Sequence, residues 1–161
     1  MLLEVDLEEP ILALKLGTFS TPGTISLAVL FPSHLAVYNL VPTDGAHVLT
    51  LLHDHNLDHT AAALVVGRFG QVHEDPLDHL CVLSMDGQLV FFRGPRRLFH
   101  RYLRKFLVPG PIQYCPALDA FVLTNSALEV ELFPYSQIVA ATAGEHEKAT
   151  SNHDHASARG G

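Results

Sequence analysis

The sequence predicts an all-β fold: an incomplete β-propeller of about three four-stranded antiparallel blades, arranged as an open arc. Two observations carry this. First, one strand pattern is written twice almost in full and a third time in compressed form. Gly17-x-Phe19 returns as Gly67-x-Phe69, and the Leu35-Ala36-Val37-Tyr38 strand returns about 54 residues later as Leu89-Val90-Phe91-Phe92, a spacing typical of propeller blades and solenoids. Second, each unit holds about four short strands separated by turn residues, which is the layout of a blade. Closed propellers need roughly four to eight blades, so three units leave the ring open.

The elements follow in order. Residues 2–7 alternate well enough to form a strand that finishes a preceding blade. Pro10 opens the innermost strand of the first unit, with Leu12, Leu14 and Leu16 on one face and Ile11 and Ala13 on the other. Apolar residues on both faces predict burial on both sides. After the Thr21-Pro22-Gly23 loop comes Ile25–Phe31, then a turn at Pro32-Ser33-His34, and Leu35–Leu40 pairs back as a hairpin. Thr43-Asp44-Gly45 turns the chain into an outer strand, Val48–Leu52.

The second unit repeats this with Ala61–Val66, Leu80–Leu83, a Met85-Asp86-Gly87 turn, and Leu89–Phe92. Pro95 then breaks the chain. Leu98–Leu107 fits either an outer strand or an amphipathic helix with Leu98, Tyr102 and Phe106 on one face; comparison with Val48–Leu52 favours the strand. Pro109-Gly110-Pro111 reads as a rigid crossover into the third unit, Ile112–Tyr114, Ala120–Leu123 and Leu128–Phe133. The partial propeller spans 1–143, and 144–161 is a polar tail with too little apolar surface to offset its ordering entropy, so disorder is expected there. Leu12, Leu14, Leu16, Leu64, Val66, Val82 and Phe121 are expected in the core.

Composition narrows the classes of function. A 48% apolar content is ample for a packed core, and a net charge of −7 argues against general nucleic-acid affinity. The opening residues lack the basic start and long apolar run of a secretion signal, and no stretch is long enough for a transmembrane segment. Cys81 and Cys115 lie in strand contexts and read as free thiols in a reducing, cytoplasmic setting.

Three patterns resemble chemical sites. In His53-Asp54-His55-Asn56-Leu57-Asp58-His59, two histidines at i and i+2 on a strand would share a face, and the third could complete a zinc site. A small metal-dependent hydrolase using His53, His55 and His59 is the reaction class this would support. The run falls where Lys105–Pro111 falls in the second unit, so a hydrated linker between blades is the simpler reading, without metal or cofactor. The second pattern is basic. Arg93, Arg96, Arg97, Arg101, Arg104 and Lys105 are six of the ten Lys and Arg residues and are interleaved with Phe99, Tyr102 and Phe106. Such a run suits a protein partner, an anionic membrane surface or phosphates. The third is a loop holding Glu74, Asp75 and Asp78, read as solubilising carboxylates. No nucleophile elbow, phosphate-binding loop or zinc-protease helix signature occurs.

A family resemblance emerges from several runs in unbroken order. They are Leu2–Asp6, Leu14–Phe19, Leu27–Leu30 with Leu35–Tyr38, His55-Asn56-Leu57-x-x-Thr60, Ser84–Gly87 and Phe106–Pro111. Together these resemble the N-terminal β-propeller of the parathyroid-hormone-responsive B1 family, Bardet–Biedl syndrome subunits of the BBSome. The similarity covers residues 2 to about 142. It implies a non-catalytic adaptor with other BBSome subunits as partners, carrying membrane-protein cargo to and from the cilium. It also implies a place in the cytoplasm, at the basal body and centriolar satellites, and at the ciliary membrane through the complex.

A zinc-independent linker has a direct check. Replacing His53, His55 and His59 together by alanine should leave the fold essentially unchanged, and chelation should not lower the melting temperature; a large drop on chelation alone would contradict the reading.

Overall fold

A computed structural model describes residues 3–44, 46–70, 75–103 and 107–140, with side chains in the last segment described from 110 onward. These residues form three separate antiparallel sheets. Blade I contains β1 (Ala13–Gly17), β2 (Ser26–Leu30), β3 (His34–Thr43) and β4 (Ala46–Asn56), hydrogen-bonded in that order. Blade II repeats the layout with β5 (Ala61–Gly67), β6 (His79–Ser84), β7 (Gln88–Arg93) and β8 (Arg96–Tyr102). Blade III contains β9 (Leu107–Cys115), β10 (Ala120–Asn125) and β11 (Val130–Pro134), followed by one helical turn and a half at 135–140. The arrangement is all-β and that of an incomplete propeller.

The blades stack face to face. Side chains alternate across a strand, so each sheet presents two faces to its neighbours. One face of blade I, with Ala28, Leu30, Leu35 and Val37, meets Leu64, Leu80, Val82, Val90 and Phe92 of blade II. The opposite face of blade II, with Val65, Cys81, Leu83, Leu89 and Phe91, meets Ile112, Phe121 and Leu123 of blade III. Every residue of β6 is buried, because blade II is covered on both faces by described sheets. In each junction one blade offers what we call its back to the front of the next.

The repeat reaches fine detail. In blade I the β3–β4 register slips between Val37 and Tyr38, leaving Leu52 as the extra residue on the outer strand. In blade II the β7–β8 register slips between Phe91 and Phe92, at the equivalent place, with Leu98 extra. A bulge adds local twist, and its recurrence shows that both outer strands bend alike.

The Gly-x-Phe motif is explained by close approach. A Cβ on Gly17 would lie 2.7 Å from the Phe19 ring, and a Cβ on Gly67 would lie 2.5 Å from the Tyr114 ring and 2.9 Å from that of Phe69. The glycine ending each inner strand thus leaves room for the phenylalanine two residues later. Both rings, Phe19 and Phe69, are buried in the inter-blade junctions. The chain turns out of the inner strand of blade II at Gly70, whose φ is 83°.

Several expectations are corrected. Residues 3–7 are not in a strand. Leu12, Leu14 and Leu16 are 44%, 55% and 69% exposed; they point to the front of blade I, which no described sheet covers, while Ala13 on the other face packs toward blade II. Val66 is only partly buried, whereas Leu64, Val82 and Phe121 lie in the core as expected. The third sheet has three described strands rather than four. Pro109-Gly110-Pro111 belongs to β9 itself. The sheet tolerates it because β9 is an edge strand and its pairing with β10 slips opposite this segment, between Leu123 and Asn125. The outer strand of blade II is a strand, as favoured, but ends at Tyr102. The expected tail at 144–161 lies outside the described residues.

Replacing Gly67 by alanine should lower stability by about 1–3 kcal/mol, the usual cost of overpacking a core. A denaturation curve that matches the unaltered chain would contradict the close-approach account.

Candidate interaction surface

Among the described residues the basic run is partly paired with carboxylates. Arg93 Nε lies 2.6 Å from Asp75 Oδ2, and Arg97 Nη1 lies 2.6 Å from Asp58 Oδ2. Arg101 is buried. Arg96 is exposed at the β7–β8 turn, opposite Arg93, and Arg104 and Lys105 lie outside the described residues. The sequence reading missed that carboxylates distant in the chain fold back onto this run.

Asp75 departs furthest from its expected role. It is 7% exposed, accepts hydrogen bonds from the Leu77 amide at 3.1 Å and from His79 Nε2 at 3.0 Å, and pairs with Arg93. Burial pushes its carboxyl up, but the His79 and Leu77 hydrogen bonds and Arg93 together outweigh that and hold it below the usual range. It is a structural anchor for the β5–β6 loop, not a solubilising charge. Asp78 also holds a neighbouring blade: its Oδ2 accepts from the Thr18 amide at 2.8 Å, and its own amide donates to the Thr18 carbonyl at 2.7 Å. Glu74 lies outside the described residues.

The three histidines separate into two settings. His53 and His55 belong to β4, not to a linker, and stand opposite Val37 and Leu35 on the face turned toward blade II. The His55 ring lies 4.7 Å from that of Phe92, and its Nε2 is 3.2 Å from the Gly94 carbonyl, to which the neutral ring donates. Desolvation lowers its pKa from the ordinary value, against the Gly94 hydrogen bond. His59 instead meets blade II at its β6–β7 hairpin, with Nδ1 2.9 Å from Asp86 Oδ2. The Tyr102 hydroxyl donates to the same Asp86 oxygen at 3.0 Å. Among the described residues no three His, Cys, Asp or Glu side chains converge as metal ligands.

Asp86 could suggest a catalytic triad, since Ser84 Oγ donates to its Oδ1 while His59 meets its Oδ2. The geometry differs from one: serine and histidine both bind the carboxylate, whereas a triad needs the histidine between them. The Ser84 hydrogen bond is the main influence lowering the Asp86 pKa, with Tyr102 and His59 assisting. This cluster ties the linker at Asp58-His59 to the hairpin.

The surface best suited to a partner is the front of blade I. Leu14 stands opposite Val29, and Val29 opposite Ala36; Leu16 stands opposite Leu27, Leu27 opposite Tyr38, and Tyr38 opposite Leu51. These rows cross the sheet, and Leu14, Leu16 and Leu51 are all more than half exposed. Leu7 packs over part of the face, beside Val29, Phe31 and Ala36.

A pH measurement tests the His55 setting. Its folded pKa lies below the ordinary value of about 6.5, so the unfolded chain takes up the proton first. Its contribution is complete above that value and is lost as pH falls below it. The urea midpoint should therefore drop between pH 8 and 5.5, and the drop should be smaller in His55→Gln, which keeps a donor for Gly94 without titrating. Equal drops would contradict the assignment.

The sequence pattern of the family described as PTHB1 N-terminal matches residues 1–159. Protein PTHB1 of Xenopus laevis is 39% identical over 155 residues, covering 92% of this chain and 18% of the relative. Protein PTHB1 of Homo sapiens is 36% identical over 157 residues, covering 93% of this chain and 18% of the relative. That of Mus musculus is 36% identical over 149 residues, covering 88% and 17%. This chain thus spans under a fifth of the length of these relatives. The match runs through all three blades, and the chain belongs to the PTHB1 family, in its N-terminal region.

Proposed function

We propose that this chain is a non-catalytic interaction scaffold of the BBSome type, serving ciliary trafficking of membrane proteins and cilium assembly. The observation that carries the proposal is the exposed apolar front of blade I, in a chain belonging to the PTHB1 family. Contiguous apolar surface on a small domain marks a place where another protein packs. The resemblance of its motifs to BBSome subunits supplies the partner class: other subunits of that coat, with cargo held through the complex. The same resemblance supports work in the cytoplasm, at the basal body and centriolar satellites, and at the ciliary membrane through the complex.

A lipid or nucleic-acid role through Arg93–Lys105 is the weaker reading, because Arg93 and Arg97 are neutralised by Asp75 and Asp58. Among the described residues no helix is long and apolar enough to cross a membrane.

Affinity isolation of the complex from ciliated cells, with and without tagged chain, tests the proposal. Co-purification of BBSome subunits is expected, with recovery reduced at least fivefold by Leu14→Asp plus Leu16→Asp. Recovery of no such subunit, or salt-sensitive binding to anionic vesicles that charge reversal at Arg97 and Arg101 abolishes, would overturn it.

A further inference from the structure

Of the ten prolines in the chain, only Pro22 follows a serine or a threonine. Thr21-Pro22 lies in the β1–β2 loop of blade I, where residues 21–25 are exposed without a break. The loop contains a tight turn. The Thr24 amide donates to the Thr21 carbonyl at 3.0 Å, with proline second and glycine third, and Gly23 has a φ of 78°. A Cβ placed on Gly23 would meet nothing within 4 Å, so the tip of the turn stands clear of its surroundings. Ser20, by contrast, has a buried Oγ. Thr21 is thus an accessible hydroxyl with proline directly after it, which is the recognition feature of proline-directed protein kinases.

A cationic pair lies beside the same corner, in the next blade. Arg93 and Arg96 stand opposite one another at the tip of the β7–β8 hairpin. Like charges directly across a strand pair are destabilising, and an anion between them reverses that. Asp75 meets Arg93 at 2.6 Å. Arg96 is exposed, and among the described residues no carboxylate lies within ion-pair distance of it. Between the two arginines, Gly94 approaches the Gly-x-Phe corner of blade I: a Cβ placed on it would lie 3.5 Å from the Phe19 carbonyl oxygen. Thr21 is two residues beyond Phe19 and Arg96 two beyond Gly94, so each lies within about 7 Å of that contact along the chain. The other acid at this corner is already met: Asp78, whose Oδ2 accepts from the Thr18 amide, is faced by Arg68 at 3.6 Å.

We infer that Thr21 is a phosphorylation site for a proline-directed kinase, and that its phosphate joins Arg96 across the junction of blades I and II. In the step, Thr21 Oγ1 attacks the γ-phosphorus of ATP, and the bond from that phosphorus to the bridging oxygen breaks to release ADP. The hydroxyl proton passes to the kinase. The loop gains a charge of about −1.5 to −2 and three acceptor oxygens, to which a guanidinium can donate two parallel hydrogen bonds. An uncharged turn becomes a clamp on the neighbouring blade. The inference goes beyond the scaffold reading and does not depend on it, because it concerns how firmly blade I is held to blade II.

The test treats the full chain with a proline-directed kinase of the mitogen-activated type and magnesium ATP. Intact mass and peptide sequencing should show a single phosphate, at Thr21. Thr21→Val and Pro22→Ala, both in an exposed loop, should keep the circular dichroism of the unaltered chain and each cut incorporation at least tenfold. The modified chain should melt about 2–4 °C higher than the unmodified chain at low salt, the shift a modest interaction gives a domain of this size. That rise should vanish in Arg96→Ala, persist in part in Arg96→Lys, and shrink at high salt. No phosphate at Thr21 of the folded chain would overturn the inference. So would a melting temperature that stays level or falls on modification, or an equal rise in Arg96→Ala.

Discussion

The face-to-face packing of blade II between its neighbours is the constraint on which the rest of the fold depends. A sheet of three or four short strands gains its stability by burying its apolar faces. Blade II buries both. Fully burying a leucine or phenylalanine is worth about 1.5–3 kcal/mol, and Leu80, Leu83, Leu89, Phe91 and Phe92 all reach that state there. Blades I and III are each covered on one face by a described sheet, so the stability of each is borrowed from the centre, as in other repeat arrays.

The repeated motifs serve this packing. Gly17 and Gly67 end the inner strands so that Phe19 and Phe69 fold across them into the junctions. Polar groups then fix the linkers. The Ala61 amide donates to the Pro32 carbonyl, and the Met85 amide to the Thr60 carbonyl, so the chain crossing from blade I to blade II is held at both hairpins. His59–Asp86 and Arg97–Asp58 reinforce that crossing. Exposed ion pairs contribute little energy individually; their effect here is to set the linker's path. Among the described residues this packing leaves apolar sheet surface uncovered at the front of blade I.

Much of the fold was legible because strand alternation and turn residues are local signals. The Met85-Asp86-Gly87 hairpin and the spacing of Leu35 against Leu89 needed no tertiary knowledge. The interaction surface was harder. Leu12, Leu14 and Leu16 have the composition of core residues, and a strand's sequence does not reveal which of its faces another sheet will cover. The pairing of the basic run was hidden for a related reason: nothing local to Arg93 or Arg97 announces that Asp75 and Asp58, 18 and 39 positions earlier, close onto them. His55 read as linker because the outer strand of blade I continues to Asn56, past the point where the second unit's outer strand suggested it would stop.

Native-state hydrogen exchange at the level of single amides tests most directly the claim that a doubly covered central blade holds the array together. Amides of β6 and β7 should exchange at least tenfold more slowly than those of β1 and β11, with blades I and III opening first as denaturant rises. Uniform protection across the three sheets, or greatest protection in blade I or III, would contradict the account.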